Sequence, residues 1–475
     1  MRRFISLVGA AALFVSLALP GVAQAEALAE CSTGSSGSFN NDGFPDPVVG
    51  VPAANAVDVF YSRTGAPTRL TPAGLGQAGT QSDEFGAATY AFDVNGDYCY
   101  DLLIGSPGAN GGAGRVTIVY GSPKGLVTSG VTVIESPDPS ARFGSAFGWI
   151  HATTTSDSAL LIGAPGYDDG AATDAGALYF YPLTSPGLGS ASRVTQSSPG
   201  VDGDSTAGDN FGGVVADDLV GMPNKDVGAA ADAGAVVKLV TTTGDPMTVR
   251  GISYTQNSPG VPGVAETGDH FGAALGVDYY AAVGVPGEDI GTKMDTGSVQ
   301  VFRDADEELQ VMQSIDQNTS GVPGANETGD RFGSAVVIGY FMARDDSIYQ
   351  LWVGAPGENV GSIVDAGSIT RIDLQADRRA SSLTSGHGLP GKSEKGDQLG
   401  ATLAGLRNYQ IGADWEGTLS VLIGVPREDR GTAVDSGWVI LADCWSWSKG
   451  LQPYSLNNKA RTGEHYGQYL GRTLL

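Results

Sequence analysis

The sequence predicts an all-β fold, a seven-bladed β-propeller made of four-stranded antiparallel blades. Two short signatures each occur seven times in the 475 residues, with a period of about 60 residues that is typical of repeat architectures. Short runs of β-branched and aromatic residues, bounded by Gly and Pro, lie between the signatures and predict strands. The run from Gly114 to Tyr120 alternates with period two, as a half-buried strand does. Four such strands with long loops account for one period, and a closed ring of blades protects the sheet edges.

The two signatures are a large apolar residue followed by Gly, and an apolar run that ends in Gly-x-Pro. The first occurs at Phe85-Gly86, Phe143-Gly144, Phe211-Gly212, Phe271-Gly272, Phe332-Gly333, Leu399-Gly400 and Tyr466-Gly467. The second ends at Pro52, Pro107, Pro165, Pro223, Pro286, Pro356 and Pro426.

Together these signatures resemble the FG-GAP repeat family, whose repeats form the blades of the N-terminal propeller of integrin α-subunits. The resemblance covers residues 39–475, which we assign to one propeller, with residues 26–38 as an N-terminal linker. It implies calcium in the loops that join strands 1 and 2 of a blade. It also implies that the opposite face of the ring, where the 2–3 and 4–1 loops emerge, binds a protein ligand.

The order of the signatures predicts how the ring closes. A Gly-x-Pro comes first along the chain and a Tyr-Gly comes last, so the two ends must share one blade. We expect 466–474 to form strand 1 of that blade and residues 46–70 to supply its other three strands. Because this closure brings the termini together, a disulfide between Cys31 and Cys444 is the pairing to test, with free thiols as the alternative; Cys99 is the third cysteine.

The chain begins with a segment typical of a secretory signal peptide, residues 1–25. An arginine pair precedes an apolar run over residues 4–19, and Ala23-Gln24-Ala25 fits a cleavage site. The run is short for a membrane anchor. Lipid attachment at Cys31 is a further alternative, which Glu30 directly before it disfavours. We therefore expect a secreted, extracellular protein that is not inserted in a membrane.

Composition narrows the choice of partners. The formal net charge is −25, with 52 acidic and 27 basic residues, so the chain repels nucleic acid and anionic membrane surfaces. Divalent cations and basic surfaces remain compatible with this charge. The 71 glycines show no collagen-like period, and 41% hydrophobic residues suffice to build cores.

The strongest candidate site is the run from Asp93 to Asp101, between a Phe-Gly and its Gly-x-Pro. Oxygen-bearing side chains stand at positions 1, 3, 5 and 9 of this loop, and position 7 offers a backbone carbonyl; the residues are Asp93, Asn95, Asp97, Asp101 and Cys99. Ca²⁺ prefers six to eight oxygen ligands, and this spacing matches the first part of an EF-hand loop. Tyr98 stands where such loops usually carry Gly, which would strain the turn.

A second, weaker candidate precedes the first Gly-x-Pro, in the run from Ser38 to Asp46. The matching residues are Asn40, Asp42, Phe44 (through its carbonyl) and Asp46, and Gly43 stands where expected. Ser38 replaces the first Asp. For both loops the alternative is a polar turn that binds no ion. The other five blades lack the pattern; Asp217 and Asp218, for example, lie in a connection too short to hold it.

Acids also recur in the 2–3 and 4–1 connections. One set lies three residues past the Pro of Gly-x-Pro, at Asp168, Asp226, Asp289, Asn359 and Asp429, and another lies nine past it, at Asp174, Asp232, Asp295, Asp365 and Asp435. A third precedes the Phe-Gly signature, at Asp83, Asp209, Asp269, Asp330, Asp397 and Glu464, and Gln196, Gln256 and Gln317 stand in three of the linkers. These residues form a ligand-binding face or, alternatively, cap backbone N–H groups in tight turns.

Three functions fit these observations. We expect a monomeric, calcium-binding adhesion or binding module for an extracellular protein or glycan. The alternatives are an enzyme on a propeller scaffold, such as a polysaccharide lyase or hydrolase, and a purely structural extracellular protein. Catalytic motifs such as HExxH, GxSxG and CxxC do not occur, and no catalytic residue is assigned. Catalysis would need a site in the central mouth of the ring, because the ring accounts for the whole exported chain.

Overall fold

The computed structural model describes residues 31, 37–61, 66–150, 158–184, 187–242, 248–305, 307–343, 346–375, 379–409, 417–444, 451–456, 461–470 and 472–473. These residues form seven small antiparallel sheets, which confirms the predicted propeller. The predicted signal peptide and most of the linker lie outside the described residues. Helices are short, at Pro52–Ala54, Ala73–Leu75, Gln81–Asp83 and Ala109–Gly112.

The blades are numbered here along the chain, and their strands are given in the order 1 to 4. Blade 1 contains Tyr469–Leu470, Val48–Val51, Ala56–Val59 and Thr68–Leu70. Blade 2 contains Ala88–Phe92, Asp101–Ser106, Arg115–Val119 and Thr132–Glu135. Blade 3 contains Phe147–Ile150, Ala159–Ala164, Ala177–Thr184 and Ser192–Val194, with Gly187–Leu188 also paired to its third strand. Blade 4 contains Val214–Ala216, Leu219–Met222, Ala235–Thr242 and Thr248–Tyr254. Blade 5 contains Ala274–Val277, Tyr280–Val285, Ser298–Ala305 and Glu308–Ile315. Blade 6 contains Ala335–Ala343, Asp346–Ala355, Ser368–Asp373 and Ala380–Ser385, with Gly388–Leu389 at its outer edge. Blade 7 contains Thr402–Tyr409, Gly417–Val425, Trp438–Cys444 and Leu451–Leu456.

The ring closes as the order of signatures predicts. In blade 1 the C-terminal strand pairs antiparallel with the N-terminal one, Val49 opposite Leu470 and Gly50 opposite Tyr469. The chain then continues into blade 2, where Arg472–Thr473 runs parallel to the first strand. The C-terminal residues therefore join two adjacent blades.

The predicted Cys31–Cys444 disulfide is wrong, because Cys31 is bonded to Cys99 instead. Cys31 lies against the 1–2 loop of blade 2, where its backbone N–H donates to the carbonyl oxygen of Asp97 at 3.1 Å. Cys444 ends the third strand of blade 7. Blades 2 and 7 flank blade 1 on opposite sides, so bringing the termini together did not bring these two cysteines together.

The hydrophobic core lies between blades, in seven clusters that each join two neighbouring sheets around the ring. The large residue of every Phe-Gly signature is buried in or beside this core, at most 1% exposed. Packing sheet on sheet in a closed ring explains why strands in this chain are rich in small and β-branched residues.

The two signatures meet at the contact between blades. A Cβ atom added to Gly354 would lie 1.9 Å from the carbonyl oxygen of Gly400 in the next blade, so neither backbone has room for a side chain there. The same contact, at 1.9 to 2.1 Å, joins all seven blade pairs: Gly50 with Gly86, Gly105 with Gly144, Gly163 with Gly212, Gly221 with Gly272, Gly284 with Gly333, Gly354 with Gly400 and Gly424 with Gly467. The repeated glycines thus set the close spacing of the blades.

Antiparallel order within each blade gives the ring two faces. The 1–2 and 3–4 connections emerge on one face, here called the loop face. The 2–3 connections and the linkers between blades, from strand 4 to the next strand 1, emerge on the other, here called the linker face. The loops 38–46 and 93–101 lie on the loop face, as the topology predicts.

Candidate functional site

Side-chain oxygens organise the loop between strands 1 and 2 of blade 2. The Asp93 carboxylate accepts the backbone N–H groups of Gly96 and Tyr98, at 2.8 and 3.0 Å. One turn later, Asn95 Oδ1 accepts the N–H of Asp97 at 3.1 Å. These bonds wind the chain around its own oxygen-bearing side chains.

The last carboxylate of this loop is fully buried. Asp101 accepts the N–H groups of Val94 and Gly121, both at 2.9 Å. Burial, together with the neighbouring charges of Asp93 and Asp97, raises the pKa of Asp101 to about 8 despite these bonds. A bound cation would offset that burial and keep the carboxylate ionised.

Tyr98 occupies the turn position that sequence reasoning singled out. Its φ of +66° lies in the left-handed region, and its side chain is 58% exposed. Because non-glycine residues rarely adopt this conformation, Tyr98 lowers the stability of the loop 93–101. Gly43 stands at the same position of the loop 38–46 and has no such cost.

The loop before the first Gly-x-Pro repeats the same hydrogen bonds. Asn40 Oδ1 accepts the N–H of Asp42 at 3.2 Å, and Asp42 Oδ1 accepts the N–H of Phe44 at 2.9 Å, as Asp97 does from Cys99. Asp46, 2% exposed, accepts the N–H of Phe39 at 2.8 Å, and burial raises its pKa to about 8. The two loops therefore share one architecture.

At position 1 the two loops differ in charge. Ser38 is buried and donates its hydroxyl to Asn40 Oδ1 at 3.0 Å, where the other loop has the carboxylate of Asp93. The N-terminal loop thus has one negative charge fewer with which to hold an ion.

Both loops have the ligand chemistry of a hard divalent cation. Among the described residues, no three Asp, Glu, His or Cys side chains are grouped closely enough to hold a metal by themselves. Asparagine and backbone oxygens would have to complete either site, as is usual for Ca²⁺. In blade 2 the ligands would be Asp93, Asn95, Asp97, Asp101 and the carbonyl of Cys99.

On the linker face, the recurrent acids cap backbone groups. In blade 5, Asp289 Oδ1 accepts the N–H of Asp295, which has a φ of +50°. The same bond occurs at Asp168, Asp226, Asn359 and Asp429. The acids before the Phe-Gly signatures act similarly, at Asp209, Asp269, Asp330 and Asp397. At these nine positions the side chain caps a backbone N–H group, as the capping interpretation predicts.

A cluster of tyrosines on the loop face was not predicted from the sequence. Tyr279 lies in the 1–2 turn of blade 5, and its ring is 5.6 Å from that of Tyr349 in blade 6. Tyr280 and Tyr340 each lie 4.9 Å from Tyr349, and the Arg303 guanidinium lies 5.4 Å from the Tyr279 ring. Tyr279 is 43% exposed. The adjacent tyrosines Tyr279 and Tyr280 could have suggested an aromatic surface from the sequence. The other tyrosines of the cluster belong to the next blade, so the sequence did not show that they lie together.

The centre of the ring contains a cavity of about 240 Å³. Residues at and beside the first strands of all seven blades line it. They are mostly apolar, with the aromatic residues Tyr90, Phe147 and Tyr469, and their polar side chains include Ser145, Ser334, Thr402 and Gln468. Its described lining contains no Asp, Glu, His, Lys, Arg or Cys.

No protein-family model matches the chain. Among solved structures, it is similar to a proposed 6-phosphogluconolactonase from Bacteroides uniformis, at 12% identity and a TM-score of 0.42 over 88% of this chain and 96% of that one. It is also similar to the periplasmic gluconolactonase PpgL from Pseudomonas aeruginosa, at 11% identity and a TM-score of 0.40 over 87% and 96%. A mutant of AofleA from Arthrobotrys oligospora matches at 9% identity and 0.32 over 78% and 86%. Likeness at this level carries no argument about function.

Within the described part of the chain, no helix has the length and hydrophobicity needed to cross a bilayer.

Proposed function

We propose that this protein is a secreted, calcium-stabilised propeller of the FG-GAP type that binds an extracellular protein or glycan. The binding part of the proposal is carried by the tyrosine cluster, which lies on the loop face and not on the linker face that the resemblance implies. The calcium part is carried by the loops 38–46 and 93–101. Export is supported by the leader-like segment and by the Cys31–Cys99 disulfide, since such bonds persist in oxidising compartments.

The tyrosine cluster has the character of a recognition surface. Tyrosine combines a large apolar ring with a hydroxyl group and is enriched, with arginine, at the centres of binding sites. The cluster spans two blades, and Asp278 Oδ2 accepts the N–H of Tyr340 at 3.0 Å, so the turn that presents Tyr279 is tied to the neighbouring blade. A ligand would therefore meet a rigid surface, which lowers the entropy cost of binding.

Calcium removal is expected to lower the melting temperature. Without the ion, no cation offsets the burial of the carboxylates Asp46 and Asp101, each within its own loop. Ca²⁺ present at 100 times its Kd would stabilise the fold by about 2.7 kcal/mol. The measurement is thermal unfolding with EDTA and with added Ca²⁺. Asp97→Ala should reduce the difference between the two conditions, by the part that the blade 2 loop contributes.

Asp168→Ala is the matched control, since Asp168 caps a turn in blade 3, whose sequence lacks the calcium-loop pattern. It should lower stability but leave the response to EDTA intact. Equal melting temperatures for the wild type with EDTA and with Ca²⁺ would contradict the calcium proposal.

Tyr279→Ala is expected to weaken ligand binding by at least about tenfold, because exposed aromatic anchors at the centre of an interface carry much of its free energy. A glycan array and capture from intact cells would first identify the ligand, and titration would then compare the variants. Met312→Ala is the control, because Met312 is also exposed (49%) but lies in the outer strand of blade 5.

Unchanged affinity of Tyr279→Ala would remove the tyrosine cluster from the proposal. Turnover of a polysaccharide into defined products would replace binding with catalysis.

A further inference from the structure

The linker face holds a cationic side chain inside a cage of oxygens. Lys225, two residues after the Pro of Gly-x-Pro in blade 4, directs its Nζ at the linker that enters the same blade. Four oxygens surround the ammonium group: Asp209 Oδ2 at 2.7 Å, Gln196 Oε1 at 3.0 Å, Asp204 O at 2.8 Å and Thr206 Oγ1 at 2.7 Å. We call this arrangement the linker site of blade 4.

In blades 5, 6 and 7 the lysine of the linker site is a glutamate. Aligned on the signatures, Lys225 corresponds to Glu288, Glu358 and Glu428. Thr206 changes with it, to Glu266, Glu327 and Glu394, while the aspartate remains as Asp269, Asp330 and Asp397. A neutral Lys–Asp pair is thus replaced three times by three carboxylates. Turn capping does not explain this change, because the aspartate alone caps the turn in all four blades.

The linker site of blade 5 leaves one buried oxygen atom without a partner. Gln256, equivalent to Gln196, is 2% exposed and donates its amide to Glu288, while its Oε1 has no partner. Asp269 is 1% exposed. Burial, with the neighbouring charges of Asp269 and Glu266, raises the pKa of Glu288 to about 7. The acids are therefore crowded, and among the described residues no lysine or arginine forms an ion pair with them as Lys225 does with Asp209 in blade 4.

Blade 6 repeats these features. Asp330 is fully buried and its Oδ1 has no partner, and Gln317, 2% exposed, donates to Glu358 while its own Oε1 is unpartnered. Burial, then the charges of Glu358 and Glu327, raise the pKa of Asp330 to about 7. Lys293 also lies near this site and donates to the carbonyl of Asn326.

Blade 7 keeps the three acids but has Thr384 in place of the glutamine. Glu428 is 9% exposed and its Oε2 has no partner. The charges of Asp397 and Glu394 add to burial in raising the pKa of Glu428 to about 7, and Arg430 opposes them. Blade 5 is therefore the linker site that has both the glutamine and the three acids and in which neither a lysine nor an arginine lowers the pKa of Asp269 or Glu288.

We propose that the linker sites of blades 5, 6 and 7 each bind a divalent cation at the position that the Lys225 ammonium group takes in blade 4. The oxygen ligands indicate that this cation is Ca²⁺. The ligands in blade 5 are Asp269, Glu288, the amide oxygen of Gln256 after a flip, and a backbone carbonyl equivalent to that of Asp204. Glu266, whose side chain is exposed, supplies the third carboxylate by rotating inward. Hard cations prefer such all-oxygen sets. These sites lie on the opposite face from the loops 38–46 and 93–101 and do not depend on them.

The test is the number of Ca²⁺ ions bound per chain, measured by equilibrium dialysis. Glu266→Thr/Glu288→Lys copies the residues of blade 4 into blade 5. We expect this variant to bind one ion fewer than the wild type. When both proteins are measured in EDTA, the variant should have the higher melting temperature, because the new ammonium group replaces the ion. The reverse change in blade 4, Thr206→Glu/Lys225→Glu, should add one ion.

Asp97→Ala distinguishes this proposal from the one on the 1–2 loops. It should remove one ion and leave the effect of Glu266→Thr/Glu288→Lys unchanged. An unchanged ion count in Glu266→Thr/Glu288→Lys would overturn the proposal and mean that the crowded acids share protons instead. If that variant does not fold, the wild type decides: more than two ions per chain supports the linker sites, and two or fewer overturns them.

Discussion

Gly354→Ala is expected to lower the free energy of unfolding by about 3 kcal/mol or more. The new Cβ atom would lie 1.9 Å from the carbonyl oxygen of Gly400 and 2.9 Å from its carbonyl carbon, and both belong to backbone. Backbone held by two sheets cannot move aside as a flexible side chain can, so blades 6 and 7 must separate. That separation would loosen the core cluster between them, which includes Trp352. The melting temperature of the purified variant is the measurement.

Gly361→Ala is the matched control. Gly361 lies in the 2–3 loop of the same blade with nothing within 4 Å of an added Cβ, and its φ is +65°. Its substitution should cost only the left-handed conformation of a non-glycine residue, about 1 kcal/mol. Equal melting temperatures for the two variants would mean that the contact between blades tolerates a side chain, and the role given to the repeated glycines would be wrong.

Loss of the Cys31–Cys99 disulfide is expected to lower the free energy of unfolding by about 4 kcal/mol in the chain-entropy description. The bond closes a loop with a sequence separation of 68 residues. It also holds the N-terminal segment against the carbonyl of Asp97, inside the candidate calcium loop of blade 2. Cys31→Ser should therefore weaken Ca²⁺ binding as well as lower the melting temperature. Both are measurable by thermal unfolding across a Ca²⁺ titration.

Cys444→Ser is the control for the disulfide. It should leave both the melting temperature and its response to a reducing agent unchanged. Peptide mapping by mass spectrometry without reduction identifies the bonded pair directly, and a Cys31–Cys444 peptide would contradict the structure.

Features that repeat along the chain were predictable. The seven Phe-Gly and seven Gly-x-Pro signatures predicted the number of blades, because each blade must make the same close contact with its neighbour. Their order predicted that 466–474 would form strand 1 of the blade completed by residues 46–70, and the structure pairs 469–470 with 49–50 there. The residues of the two 1–2 loops were likewise predictable, because alternating oxygens within nine residues are a local pattern. Whether those loops bind calcium stays a prediction.

Features that depend on which neighbour a residue meets were not predictable. The partner of Cys31 depended on the side from which the N-terminal segment approaches blade 1. Tyr349 became part of a cluster because blade 6 places it beside Tyr279 of blade 5. The sequence showed the recurrent acid of each linker, but only the structure shows that the ammonium group of Lys225 lies beside this acid in blade 4.

By itself, the sequence determined the repeating unit, the number of blades, the closure of the ring and the positions of its two candidate calcium loops. These properties follow from local sequence patterns. The signatures recur because every blade must make the same close contact with its neighbour. Only the tertiary structure decided the disulfide, the tyrosine cluster and the linker sites. Each joins residues from different blades or from a linker and a distant loop, and the distances between such groups are set by how the sheets pack around the ring.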